Sequence, residues 1–112
     1  MEFRQIAEDL AVAGQITADQ VAAIKDAGFK SLVCNRPDNE EYNQPRAGDI
    51  EAAAKAAGLE YRMVPVSSGN ITQSNVEDMA KALEDLPRPL LAYCRSGARS
   101  FNLIQIVHSV RR

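Results

Sequence analysis

Tryptophan is absent from this chain, histidine occurs once, cysteine twice, and aromatic residues make up only 5% of it. A single histidine excludes a histidine-rich metal centre. Cys34 and Cys94, far apart in sequence, give neither zinc-ligand spacing nor a secreted disulfide framework. No metal and no cofactor are expected. An excess of one charge is also lacking, since 13 Lys and Arg stand against 15 Asp and Glu, a net charge of −2. That balance leaves no electrostatic footprint for nucleic acid or an anionic membrane as partner. No apolar run approaches the roughly 18 residues of a transmembrane helix. The N-terminal MEFRQIAEDL carries acids where a signal peptide has a basic patch and then an apolar stretch. The expected setting is a reducing cytoplasm, where a thiol is free to react. A chain of 112 residues suits one domain, 1–112, with one modest core.

What is present is an alternation of short apolar runs with alanine-rich helical segments. Asp9 to Ala13 reads as a strand ending at Gly14. Thr17, with Gln20 three residues on, has the spacing of a capping box, and a helix follows through Val21 and Ile24 to Gly28. Ser31 to Cys34 is short and apolar enough for a buried parallel strand. The polar run from Asn35 to Gln44, closed by Pro45, reads as a long surface loop. Ala47 to Ala57 is a helix by propensity, closed by Gly58. Glu60 to Val66 is a third strand, Gln73 to Asp85 a helix, Leu90 to Tyr93 a fourth strand, and Arg99 to Val110 the last helix. The pattern predicts an α/β fold in three layers, a central parallel sheet of four to five strands flanked by helices. In such sheets, function collects where strands end and helices begin.

One such junction carries chemistry: Cys94-Arg95-Ser96-Gly97-Ala98-Arg99-Ser100, between the fourth strand and the last helix. A strand-to-helix turn aims successive backbone N–H groups inward, an anion-binding nest at the positive end of the helix. Gly97 allows the tight turn. Cys94 at its start is expected to have a lowered pKa and to act as nucleophile. Arg99 can fork onto an oxyanion, and Ser100 can donate to the thiolate or to a leaving group. Arg95, Ser96, Gly97, Ala98, Arg99 and Ser100 together form the expected substrate loop, with the Arg95 side chain pointing outward.

The run YCRSGARS resembles the active loop of rhodaneses. With FRQI…LAVAGQIT, NRPDNEEYNQP and YRMVPV, the chain resembles over nearly its whole length the beta-lactamase-hydrolase-like, phosphatase-like domain family. That resemblance implies a cut-down dual-specificity-phosphatase fold. It also implies a persulfide-handling enzyme, such as a persulfide dioxygenase, as partner, because some relatives are fused to one. Four residues separate Cys94 from Arg99, the rhodanese spacing, where tyrosine phosphatases have five. On that ground the expected activity is sulfur transfer. Cys94 would take a sulfane sulfur from thiosulfate or a thiol persulfide and pass it to a thiol or cyanide. A second ground is the segment after YRMVPV, where dual-specificity phosphatases carry an acidic proton donor and this chain reads Ser67-Ser68-Gly69. The alternatives are a phosphatase acting on phosphate esters through a Cys94 phosphocysteine, and a non-catalytic anion- or persulfide-binding module.

Lesser candidates surround this loop. Cys34 reads either as a resolving thiol beside Cys94 or as a small core residue. Arg36 and Asp38 are candidates for a lid, with Asp38 the expected acid if phosphate is the substrate, and Tyr42 belongs to the same segment. His108 lies too far along the last helix for a cysteine–histidine pair. Met63 and Met79 read as core.

Overall fold

A computed structural model describes residues 2–110. Five short strands, β1 (Arg4–Ala7), β2 (Leu10–Ala13), β3 (Ser31–Cys34), β4 (Glu60–Met63) and β5 (Leu90–Tyr93), form one sheet in the order β1-β2-β5-β3-β4. The helices are α1 (Val21–Asp26), α2 (Ala47–Ala57), α3 (Gln73–Asp85) and α4 (Ala98–Val110). Strands β2, β5, β3 and β4 are parallel, as the alternation predicts.

Strand β1 is a correction to an all-parallel sheet. It pairs antiparallel with β2, Arg4 opposite Val12. Only Glu8 and Asp9 connect the two strands, too short a link for anything but a hairpin. Its residues are mostly exposed, so no buried apolar run announces it. Two other boundaries move. The segment after Thr17 begins as a 3-10 turn, Ala18–Gln20, before α1, with the Thr17 N–H donating to Gln20 Oε1 at 3.0 Å. Regular β4 pairing ends at Met63, because Pro65 brings no N–H. The Val64 and Val66 amides on either side still donate to the Cys34 and Asn35 carbonyls, at 2.9 and 3.0 Å.

The sheet separates two apolar cores with the side-chain period of two that strands impose. Leu10, Val12, Val33, Leu90 and Ala92 face α3 and α4, where Met79, Leu83, Leu103 and Ile104 pack. Ala11, Ala13, Leu32, Cys34, Leu91 and Tyr93 face α1 and α2, against Val21, Ile24, Ile50 and Ala54. Central β5 is buried throughout.

In register, Ala13 and Cys34 both lie level with Tyr93, and Met63 lies level with Cys34. The loops leaving these four strands therefore open on one edge. The chain also reverses direction across the sheet there, stepping from β3 out to β4 and back to β5, the topological switch where open α/β sheets bind ligands. Truncating the central strand should test this packing. Leu91→Ala is expected to lower unfolding free energy by about 2–5 kcal/mol, read as a drop in urea midpoint. Ile106→Ala, on the outer face of α4, should change it by less than about 0.5 kcal/mol.

Candidate active site

The turn from β5 into α4 is strapped to the end of β2. Cys94 N–H donates to the Ala13 carbonyl at 3.2 Å, and Gln15 N–H donates to the Arg95 carbonyl at 3.1 Å. Gly97 holds φ +94°, and a Cβ there would lie 3.4 Å from the Ala13 carbonyl carbon, so the turn needs glycine both for its conformation and for its closeness to β2.

The curled backbone converges on sulfur. Gly97 N–H donates to Cys94 Sγ at 3.1 Å. Burial pushes the Cys94 thiol up, but the backbone N–H groups of Ser100, Ser96 and Gly97 outweigh it and hold the thiol below its ordinary value. Compensation thus comes from dipoles at the start of α4. Ser100 is itself fully buried, and its hydroxyl donates to Asn35 Oδ1 at 2.8 Å. The Asn35 amide in turn donates to the Val64 carbonyl at 3.0 Å, so β3 and the strand beyond it fix the serine's position.

The Arg99 guanidinium is engaged by two other loops. Nη1 donates to Glu40 Oε2 at 2.9 Å and to the Val66 carbonyl at 2.9 Å, and Nη2 donates to Glu40 Oε1 at 3.2 Å. The fork that would grip an oxyanion thus grips a carboxylate. Arg36 is only 3% exposed and joins the same cluster, donating from Nε to Glu40 at 2.8 Å, from Nη2 to Glu41 at 2.6 Å and from Nη1 to Gln15 at 3.1 Å. Arg95 points outward, as expected, and its Nε pairs with Glu41 at 3.1 Å. The three arginines, Glu40 and Glu41, with Cys94, Ser96, Ala98, Ser68 and Gly69, line an open cleft of about 880 Å³.

Asp38 is a correction. Its carboxylate accepts from the Ala47 N–H at 2.8 Å, closing the first turn of α2, and it does not line the cleft. The acids that the loop brings to the site are Glu40 and Glu41, which sequence reasoning missed together with Asn35 and Gln15. Their signal was two acids following an arginine in a loop that must approach two further arginines. Cys34 lies level with Tyr93 and on its face of the sheet, and its thiol donates to the Arg36 carbonyl at 3.3 Å. Desolvation pushes the Cys34 thiol up. Cys34 packs into the core beneath α1 and α2, whereas Cys94 opens on the cleft. Tyr42 is almost fully exposed, and His108 lies near the far end of α4. Among the described residues no cluster of three or more His, Cys, Asp or Glu could hold a metal, and no helix is long and apolar enough to cross a membrane.

Residues 2–110 match the model of one family, beta-lactamase hydrolase-like protein, phosphatase-like domain. The chain belongs to this family. A beta-lactamase hydrolase-like protein of Xylella fastidiosa is 36% identical over 103 residues, 92% of this chain but 24% of that protein. The chain thus spans about a quarter of the length of the curated relatives it matches. A candidate phosphatase of Neisseria meningitidis has a solved structure that superposes with a TM-score of 0.84. It is 33% identical, over 92% of this chain and 73% of that one. The catalytic core of a PP-IP phosphatase from S. cerevisiae, solved with citrate, shares the fold at 21% identity and a TM-score of 0.71, over 96% of this chain and 64% of that one.

The expectation of sulfur transfer is overturned here. The family is phosphatase-like, its Neisseria relative is a candidate phosphatase, and none of these relatives is named as a sulfurtransferase. Loop spacing misled because it counts only the residues in the N–H ring. The room for a substrate is set by the cleft above that ring, whose other walls come from the loops after β3 and β4.

Two outcomes follow for this phosphatase-like domain. Thiolate absorbance in the ultraviolet should titrate below the ordinary thiol value of about 8.5 and move up in Ser100→Ala, with Cys94→Ser as blank. Asp38→Ala should cost about 1 kcal/mol of stability, the usual loss for a helix-start acceptor, and leave that titration unmoved.

Proposed function

We propose that this domain is a cysteine-dependent phosphatase acting on phosphate monoesters. The observation that carries the reading is Cys94 Sγ seated under the N–H groups of Ser96, Gly97 and Ser100, with a thiol pKa below its ordinary value. A thiolate at neutral pH is a competent nucleophile toward phosphorus. The same N–H groups suit the equatorial oxygens of a phosphoryl group, whose transfer depends mainly on positioning and charge stabilisation.

Charge supports the same substrate class. Arg36, Arg95 and Arg99 all line the cleft, with Glu40 and Glu41 between them. A site with three arginines suits a doubly charged monoester, with Arg99 supplying the two-pronged hydrogen bond that phosphate accepts. In the reaction, a Cys94 Sγ lone pair forms the S–P bond as the P–O bond to the leaving group breaks. The departing oxygen takes a proton. Water then attacks phosphorus, the S–P bond breaks, and inorganic phosphate and the thiolate are released.

Hydrolysis of p-nitrophenyl phosphate is the direct test. Wild type should turn over, Cys94→Ser should fall to background, and Arg99→Ala should lose about 10²–10³-fold in kcat/KM, the usual loss for removing one donor to transition-state charge. The acid limb of kcat/KM against pH should follow the thiolate titration and shift upward in Ser100→Ala. Turnover that survives Cys94→Ser would sink the reading. Binding of inorganic phosphate without any turnover would reassign the domain as an anion-binding module.

A further inference from the structure

The chemistry above leaves one proton unassigned, the one delivered to the leaving oxygen. The segment after β4, where related phosphatases place their acid, runs Val66-Ser67-Ser68-Gly69 and contributes a carbonyl, a small turn and no carboxylate. Asp38 is held at the start of α2. Of the residues lining the cleft, only Glu40 and Glu41 carry carboxylates.

The two are not equivalent. Glu41 bonds to Arg36 and to Arg95, whose side chain points outward from the cradle. Glu40 bonds through both oxygens to Arg99, the arginine on the cradle's own helix, and also to Arg36. Its carboxylate therefore sits on the donor fork that a substrate phosphate requires. Only one anion at a time can take that fork.

The loop that carries Glu40 is anchored independently of Arg99. Gln44 accepts from the Glu40 N–H at 3.0 Å and donates to the Pro37 carbonyl at 2.8 Å, and Asp38 ties the loop to α2. Displacing the carboxylate from Arg99 therefore needs a change in the side chain, while the backbone keeps it at the cleft.

We infer that Glu40 is the proton donor to the leaving group, released for that role when the substrate phosphate takes its place on Arg99. The inference rests on the phosphatase reading. In the resting site, burial pushes the Glu40 carboxyl up, but Arg99 and Arg36 outweigh burial and hold it below the ordinary carboxylate range. A phosphate dianion reverses the balance at a stroke. Glu40 loses its Arg99 partner and gains two negative charges as neighbours, and both changes favour the protonated form. It then takes one proton from solvent. As the S–P bond forms and the P–O bond breaks, that proton passes to the leaving oxygen and Glu40 returns to carboxylate. In the second half-reaction the carboxylate accepts a proton from the water that attacks phosphorus, the S–P bond breaks, and the thiolate is restored. The charged groups facing Glu40 are Arg36 and Arg99, with Glu41 across Arg36.

The test compares two leaving groups, because a proton donor matters only where the departing oxygen is basic. For Glu40→Gln, kcat/KM with phenyl phosphate should fall about 10²-fold, within the usual range for a general acid. With 2,4-dinitrophenyl phosphate, whose leaving group departs without help, it should stay within about threefold of wild type or rise, since the competing carboxylate has lost its charge. Glu41→Gln should affect both substrates alike. Binding of inorganic phosphate to Glu40→Gln, at least as tight as to wild type, would show the cradle intact. An equal loss on both substrates overturns the inference and makes Glu40 a positioning residue for Arg99. A leaving-group-dependent loss in Glu41→Gln, with none in Glu40→Gln, overturns it in favour of Glu41. If neither ester shows Cys94-dependent turnover in wild type, the phosphatase reading fails and takes this inference with it.

Discussion

A sulfur anion enclosed by protein must be compensated by something fixed, and here that something is backbone. Cys94 is buried at the start of α4, under amides from Ser96, Gly97 and Ser100. Those amides converge only because the turn is bent at Gly97 and strapped to β2 through the Cys94–Ala13 and Gln15–Arg95 hydrogen bonds. The sheet order puts β5 between β2 and β3. One neighbour can then brace the turn from below, while the other sends Asn35 to hold Ser100. Displacing β5 would undo the strap and the serine's support together.

Once backbone dipoles carry the thiolate, Arg99 is left for other work. Its partners are a carboxylate and a carbonyl from two separate loops, Glu40 after β3 and Val66 after β4. The arginine is thus held in position while its charge is occupied. A guanidinium this little exposed would be costly to leave unpaired, and these partners satisfy it. The cluster of Arg36, Arg95, Arg99, Glu40 and Glu41 makes the cleft polar and nearly charge-balanced.

Much of this was legible in the sequence, and for local reasons. Helices α2 and α3 and strands β3 and β5 fall where propensity, glycine stops and short apolar runs place them, because each is decided by its own residues and by burial on both faces. The hairpin strand β1 was not, since its side chains are mostly exposed and its partner's backbone makes it a strand. The roles of the loop after β3 were equally hidden. Asp38, Glu40 and Glu41 are near neighbours with the same chemistry. Which of them reaches the arginines depends on how a non-periodic segment folds across the mouth of the sheet.

By itself, then, the chain determined a cysteine at a glycine-bent turn and the α/β frame that puts both at a strand's end, because those features are written in contiguous residues. Only the tertiary structure decided what surrounds the loop: an arginine already holding a glutamate, an aspartate spent on a helix start, and a second cysteine packed into the core beneath α1 and α2. Each depends on distances between segments that are remote in sequence. The size and charge of a binding site are properties of the space between such segments, and the spacing within any one of them does not measure it.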